Sequence, residues 1–142
     1  MKRIVVTVFA LLISLEVSAQ NININSDNDI YMLLENVKTE IGDKYSDFEY
    51  VMQVLKSYKE KSGIILEIYI ALPDGMIVLA SEFEMPDDFD PRKYKWYNTD
   101  DKYKSETYID MISGDEIVSY SLNVTNNLKI YVIGIDIKRI VE

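Results

Sequence analysis

The sequence contains no cysteine and no histidine. Disulfides, thiolate catalysis, Cys/His zinc sites and a Ser-His-Asp triad are therefore excluded. Proline and glycine are scarce, at three and five of 142 residues, so no Pro/Gly-rich linker or collagen-like tract is present. Positive charge is in deficit: 15 Lys and Arg stand against 24 Asp and Glu, a net charge of −9. That balance argues against a nucleic-acid or anionic-membrane partner and leaves neutral or cationic ones. The chemistry that remains is carboxylate, lysine or tyrosine chemistry, or ligand binding without chemistry.

The length fits one domain with a single core. At 48% hydrophobic and 27% charged the composition is that of a globular protein and too apolar for disorder. Lys2 and Arg3 precede a twelve-residue uncharged run, Ile4 to Leu15, and Val17-Ser18-Ala19 supplies small residues at a cleavage position. This is the pattern of a secretory signal peptide over 1–19. The run is too short to span a bilayer comfortably, although an uncleaved anchor is the alternative. The expected location is periplasmic or secreted. Residues 20–27 read as a polar linker, and 28–142 as the domain.

Asp27 is placed to cap a helix in which Ile30, Leu33, Leu34, Val37 and Ile41 share one face, with Gly42 at its end. Asp47 is placed to cap a second, with Phe48, Val51, Leu55 and Tyr58 in one stripe and Gly63 beyond it. The period then changes to two. Residues 64–72 alternate as a strand, Pro73-Asp74-Gly75 supplies a turn, and 76–81 returns. Asp90-Pro91 resembles a helix start, and a short helix to about Asn98 is expected. Three more strands are expected over 107–112, 116–124 and 128–136. The fold class is α+β: N-terminal helices, then a five-stranded antiparallel sheet with a short helical insert. A PAS-like sensor lobe, a cystatin-like fold and an NTF2-like cone all satisfy this order.

Two carboxylates stand out. Asp136 continues the row Leu128, Ile130, Val132, Gly134, and Asp110 shares a strand face with Tyr108 and Ile112. Buried, each needs a cation or several donors; at strand ends, each would be solvated or would cap a turn. Lys138 and Arg139 are the only cations local to Asp136. Tyr94, Trp96 and Tyr97 form an aromatic segment holding the single Trp, read either as packing or as the wall of a cation-attracting pocket. The acidic loop around Asp87 and Asp88 lacks the Gly and distal Glu of a calcium loop, so no metal or other cofactor is expected.

The run Asp90-Pro91-Arg92-Lys93-Tyr94-Lys95-Trp96-Tyr97 resembles the Asp-Pro-Arg-x-Arg-Pro-Trp-Tyr signature of Cache domains, the extracytoplasmic sensor modules of bacterial chemoreceptors and sensor kinases. Leu66 to Ala71 with Asp74-Gly75 is similar to that family's first hairpin. Tyr108-Ile109-Asp110, Ser113-Gly114 and 119–124 are similar to the hairpin after the signature, and 134–137 to the closing strand. The resemblance covers about 28–140. It implies a PAS-like sheet with a pocket over one face. It also implies ligand-binding roles for Tyr94, Trp96, Tyr97, Tyr108, Asp110 and Asp136, with Asp90, Pro91 and Arg92 as a structural signature.

One departure matters. Family members that bind amino acids grip the ligand carboxylate with an Arg two residues before the Trp, and Tyr94 stands there. Tyr cannot supply the bidentate fork. The amine side is retained at Tyr108, Asp110 and Asp136. The expected ligand is a small amine, or an amino acid if Arg92 or Lys95 replaces the lost Arg. A receptor of this family would continue past the closing strand into a transmembrane helix, whereas the sequence ends at Glu142; the expectation is a free periplasmic ligand binder or a sensor subunit that docks on a membrane-bound partner, and the resemblance adds pairing of two copies through the N-terminal helix. The contrasting expectation is a secreted protein-binding module of the inhibitor or immunity type.

Overall fold

A computed structural model describes residues 21–81, 84–97 and 101–139. The signal-peptide reading of 1–19 lies outside these residues. Helix α1 spans Asp27–Ile41 and α2 spans Phe48–Lys59. Strands β1 Ile65–Ala71 and β2 Ile77–Leu79 form the first hairpin. A short 3-10 turn, Pro91–Lys93, is followed by β3 Lys102–Lys104, β4 Tyr108–Ile109, β5 Glu116–Asn126 and β6 Lys129–Lys138. The sheet is antiparallel in the order β2-β1-β6-β5-β3, with β4 also paired to β5. Among the described residues it therefore has six strands, one more than expected.

Both helices end for local reasons. Ser26, not Asp27, caps α1, its hydroxyl accepting from the Asp29 N–H. Asp27 instead reaches the sheet, accepting from Tyr120 Oη and Lys104 Nζ, each at 2.7 Å. Gly42 closes α1 at φ 61°, where a side chain would be strained. Asp47 caps α2 through the Tyr50 N–H, but that helix stops at Lys59, before Gly63.

The apolar stripes of α1 and α2 cover one sheet face. Leu33, Leu34, Val37, Ile41, Val51 and Leu55 meet Ile68, Ile70, Leu122, Ile133 and Ile135 in one buried core. A bulge in β1 sets which side chains face away from it. Ile65 pairs Ile137 and Glu67 pairs Asp136, so Leu66 is an extra residue. Strict alternation would align Leu66 with Ile68. The bulge puts Ile65, Ile68 and Ile70 in the helix-side core and turns Leu66, Glu67 and Tyr69 to the opposite face.

Four expectations are corrected. The helix expected to Asn98 stops at Lys93, because Tyr94 is extended (φ −98°, ψ 150°); Asn98 itself lies outside the described residues. The strand expected over 107–112 is two residues long. Asp110 ends it by accepting the Ser113 N–H and leading into Gly114 at φ 77°. β3 was not anticipated, because Lys-Tyr-Lys has the charged alternation of an edge strand rather than an apolar face. Leu128 is not on a buried row: with Asn127 it forms the β5–β6 turn at φ 65°, fully in solvent.

Candidate functional site

The face turned away from the helices is the floor of a cleft of about 900 Å³. Cross-strand pairing arranges that floor in rows. Glu67 on β1, Asp136 on β6 and Ser119 on β5 are consecutive neighbours, and Tyr69, Gly134 and Ser121 form the next row. Gly134 is required there. The Tyr69 ring lies directly over its Cα, and a Cβ would overlap Cζ and Cε2 of that ring. The missing side chain lets Tyr69 lie across the floor.

Asp136 is the electrostatic centre. Ser119 Oγ donates to its Oδ1 at 2.6 Å. Since that hydroxyl is committed as a donor, Tyr108 Oη, 2.7 Å away, donates to Ser119 in turn. Ser119 is positioned by its own N–H, which bonds Ser105 Oγ at 2.9 Å. Burial pushes the Asp136 carboxyl up to about 6; the Ser119 bond opposes this, and Asp110 and Glu67 add to it. Among the described residues no Lys or Arg pairs with it. Lys138 pairs with Asp115 at 3.0 Å and Arg139 with Glu116 at 3.7 Å, both away from Asp136. The phenols beside it stay neutral: burial raises Tyr69 well above its ordinary value, and burial then Asp136 raise Tyr108.

The wall is aromatic. Phe89 stacks on Tyr94 (5.1 Å between centroids), Tyr94 on Trp96 (6.5 Å), and Trp96 meets Tyr69 edge-on (5.5 Å). All four line the cleft. The 3-10 turn anchors this wall. Asp90 Oδ1 accepts the Arg92 N–H and Nε–H while Oδ2 accepts Nη2, a fork that holds the Asp90 carboxyl below its ordinary value. The Arg92 guanidinium also lies against Gly75 in the β1–β2 turn; a Cβ there would sit 3.1 Å from Nε.

Of the residues singled out in the sequence, Tyr94, Trp96, Tyr108, Asp110 and Asp136 converge on this one cleft. Tyr97 does not line it and packs edge-on against Trp96 at 6.2 Å. Asp90, Pro91 and Arg92 hold the turn; Arg92 faces a neighbouring groove beside Asp74, and Lys95 is not on the cleft wall. Neither basic residue lines the cleft. The sequence reading missed Glu67, Tyr69 and Ser119. Glu67 and Tyr69 look like the outward half of an alternating strand. The small polar series Ser119, Ser121, Asn123 on β5 was the available signal, since such residues on a long central strand leave room above the sheet.

No protein-family model and no curated protein matches the sequence. Solved structures do. The ligand-binding domain of the Campylobacter jejuni chemoreceptor Tlp3, in complex with 4-methylisoleucine, is similar with a TM-score of 0.63 at 24% identity over 75% of this chain. That of the Pseudomonas fluorescens chemoreceptor CtaA, in complex with L-alanine, gives 0.62 at 25% identity over 75%. That of the Pseudomonas aeruginosa amino acid chemoreceptor PctC, in complex with GABA, gives 0.67 at 21% over 78%. This is a Cache-type sensor fold. The chain spans about half the length of these structures, between 49% and 52% of each.

Proposed function

We propose that this chain is an extracytoplasmic ligand-binding sensor domain whose cleft takes a small organic cation, either an amine or the ammonium group of an amino acid. The observation that carries the reading is Asp136: a partly buried carboxylate on the cleft floor, with one hydroxyl donor and no cation among the described residues, and aromatic faces around it. A bound ammonium supplies the missing charge and is attracted by the ring faces. The absence of Lys and Arg from the cleft wall among the described residues favours amines over amino acids, because a ligand carboxylate finds no fork there. The similarity to chemoreceptor domains solved with amino acids and GABA supports a sensing role rather than catalysis. Export through the N-terminal segment, output through a membrane-bound partner and pairing through α1 complete the proposal. A protein-binding module is less well supported, since Trp96, Tyr108, Asp110 and Asp136 line one cleft instead of being dispersed over the surface.

The test is a thermal-shift series with n-butylamine, tetramethylammonium, L-alanine, GABA and acetate. A ligand specific to the native state at a hundred times its Kd stabilises by about 2.7 kcal/mol. Ammonium compounds should raise the Tm, and acetate should not. A shift from acetate with none from the ammonium compounds contradicts the reading.

A further inference from the structure

The cleft carries more negative charge than one ammonium group balances. Glu67, Glu106, Asp110 and Asp136 all line it, and no Lys or Arg does among the described residues. The four acids fall into two groups by their place in the sheet. Glu67 and Asp136 are cross-strand partners on β1 and β6, on the floor. Glu106 and Asp110 flank β4, which pairs β5 on its far side. β4 is three strand spacings from β1 and two from β6, roughly 14 and 10 Å between backbones, and Asp110 stands between the two groups, its charge still reaching Asp136. No three acids come together as a metal-ion site among the described residues. The acids are therefore spread along the cleft rather than gathered round one ion.

The floor group shows what its end of a ligand would meet. Glu67 Oε1 accepts from the Ile68 and Ser81 N–H groups, both at 3.1 Å, which fixes the carboxylate in place. Tyr69, only 8% exposed, lines the cleft beside it, and its hydroxyl has no hydrogen-bond partner among the described residues. The hydroxyl is open to the cleft, where a ligand N–H can donate to it. Between floor and rim the walls are Trp96, Tyr94 and Tyr103, which suit a methylene chain with positive ends.

We propose that the cleft selects a linear dication, an α,ω-diamine. One ammonium sits between Glu67, Asp136 and the Tyr69 hydroxyl, and the other meets Asp110 and Glu106 at the rim. The proposal rests on reading the cleft as an organic-cation site and specifies its ligand class.

Calorimetric titration with 1,4-diaminobutane, 1,5-diaminopentane and n-butylamine at fixed ionic strength tests it. At least one diamine should bind ten times or more tightly than butylamine. Glu67→Gln keeps the acceptor for Ile68 and Ser81 but removes the charge, and should erase most of that advantage; Glu106→Gln, at the exposed rim, should reduce it without risk to folding. Glu49→Gln, on the solvent side of α2, lowers the net charge equally and should leave the advantage intact. Equal binding of diamines and butylamine overturns the dication while leaving the cation site standing. Binding of neither overturns both. A diamine advantage that survives both cleft substitutions, or that Glu49→Gln also removes, assigns it to bulk charge and overturns the proposal.

Discussion

The hydroxyl of Tyr31 on α1 donates to the backbone carbonyl of Tyr103 on β3 at 3.1 Å, while the Tyr103 side chain lines the cleft on the other side of the sheet. The grip is reinforced on both flanks. Lys102 lies over the Tyr31 ring at 5.1 Å, and Lys104 pairs with Asp27. A three-residue edge strand is thus held between the N-terminal helix and the cleft. Tyr31→Phe should cost about 1 kcal/mol and speed amide hydrogen exchange selectively in 102–104. Unchanged exchange there would show that β3 is held by β5 alone.

Gly134 and Tyr69 make a second dependence. Since a Cβ at 134 would overlap the Tyr69 ring, Gly134→Ala must lift that ring off the cleft floor. Overpacking of this kind costs roughly 1–3 kcal/mol. The variant should lose stability in chemical denaturation and lose amine binding together. Full binding would mean that Tyr69 is not part of the site.

Tyr45 is 2% exposed, and its hydroxyl is the only buried side-chain polar atom without a partner among the described residues. Its ring already packs on Tyr131 at 4.4 Å. Tyr45→Phe keeps that contact and removes the orphan hydroxyl, so it should stabilise by about 1 kcal/mol. A fall in the denaturation midpoint would reveal a water-mediated bond.

The β5–β6 turn holds Leu128 at φ 65° with its side chain in solvent. A non-glycine residue there costs on the order of 1 kcal/mol, and Asn-Gly is the favoured pair for such a turn. Leu128→Gly should therefore raise stability by a comparable amount with no change in ligand binding. A lower midpoint would contradict this.

The helices and the first hairpin were legible in the sequence because their signals are local: stripes at helical spacing, Asp47 as a cap, and Pro73-Asp74-Gly75 between alternating runs. The three-residue strand β3 and the shortened β4 were not, because their positions are set by pairing with β5, a long-range contact. The carboxylates divided in an instructive way. Asp110 does what a strand-end acid ordinarily does, accepting the Ser113 N–H, yet still lines the cleft. Asp136 is the buried case. Glu67 escaped notice because one bulged residue, Leu66, decides which way it faces. Tyr69 and Ser119 became visible only when register set them beside Gly134 and Asp136.

If Asp136 holds the ammonium group as proposed, binding depends on pH. Its carboxyl is raised by burial from an ordinary value of 3.8 to about 6, so the folded state holds a proton that the unfolded state releases. Stability from this group alone is present below pH 4 and is lost as pH rises through 6. A cation needs the ionised form, so ligand affinity runs the other way. The direct measurement is calorimetric titration of the amine at pH 5 and pH 7.5, with the wild-type chain and Asp136→Asn. The account predicts binding up to about tenfold weaker per pH unit below 6, release of a proton on binding near pH 6, and loss of both effects in the Asn variant together with most of the affinity. Amine binding of equal strength at both pH values, undiminished in Asp136→Asn, would contradict it.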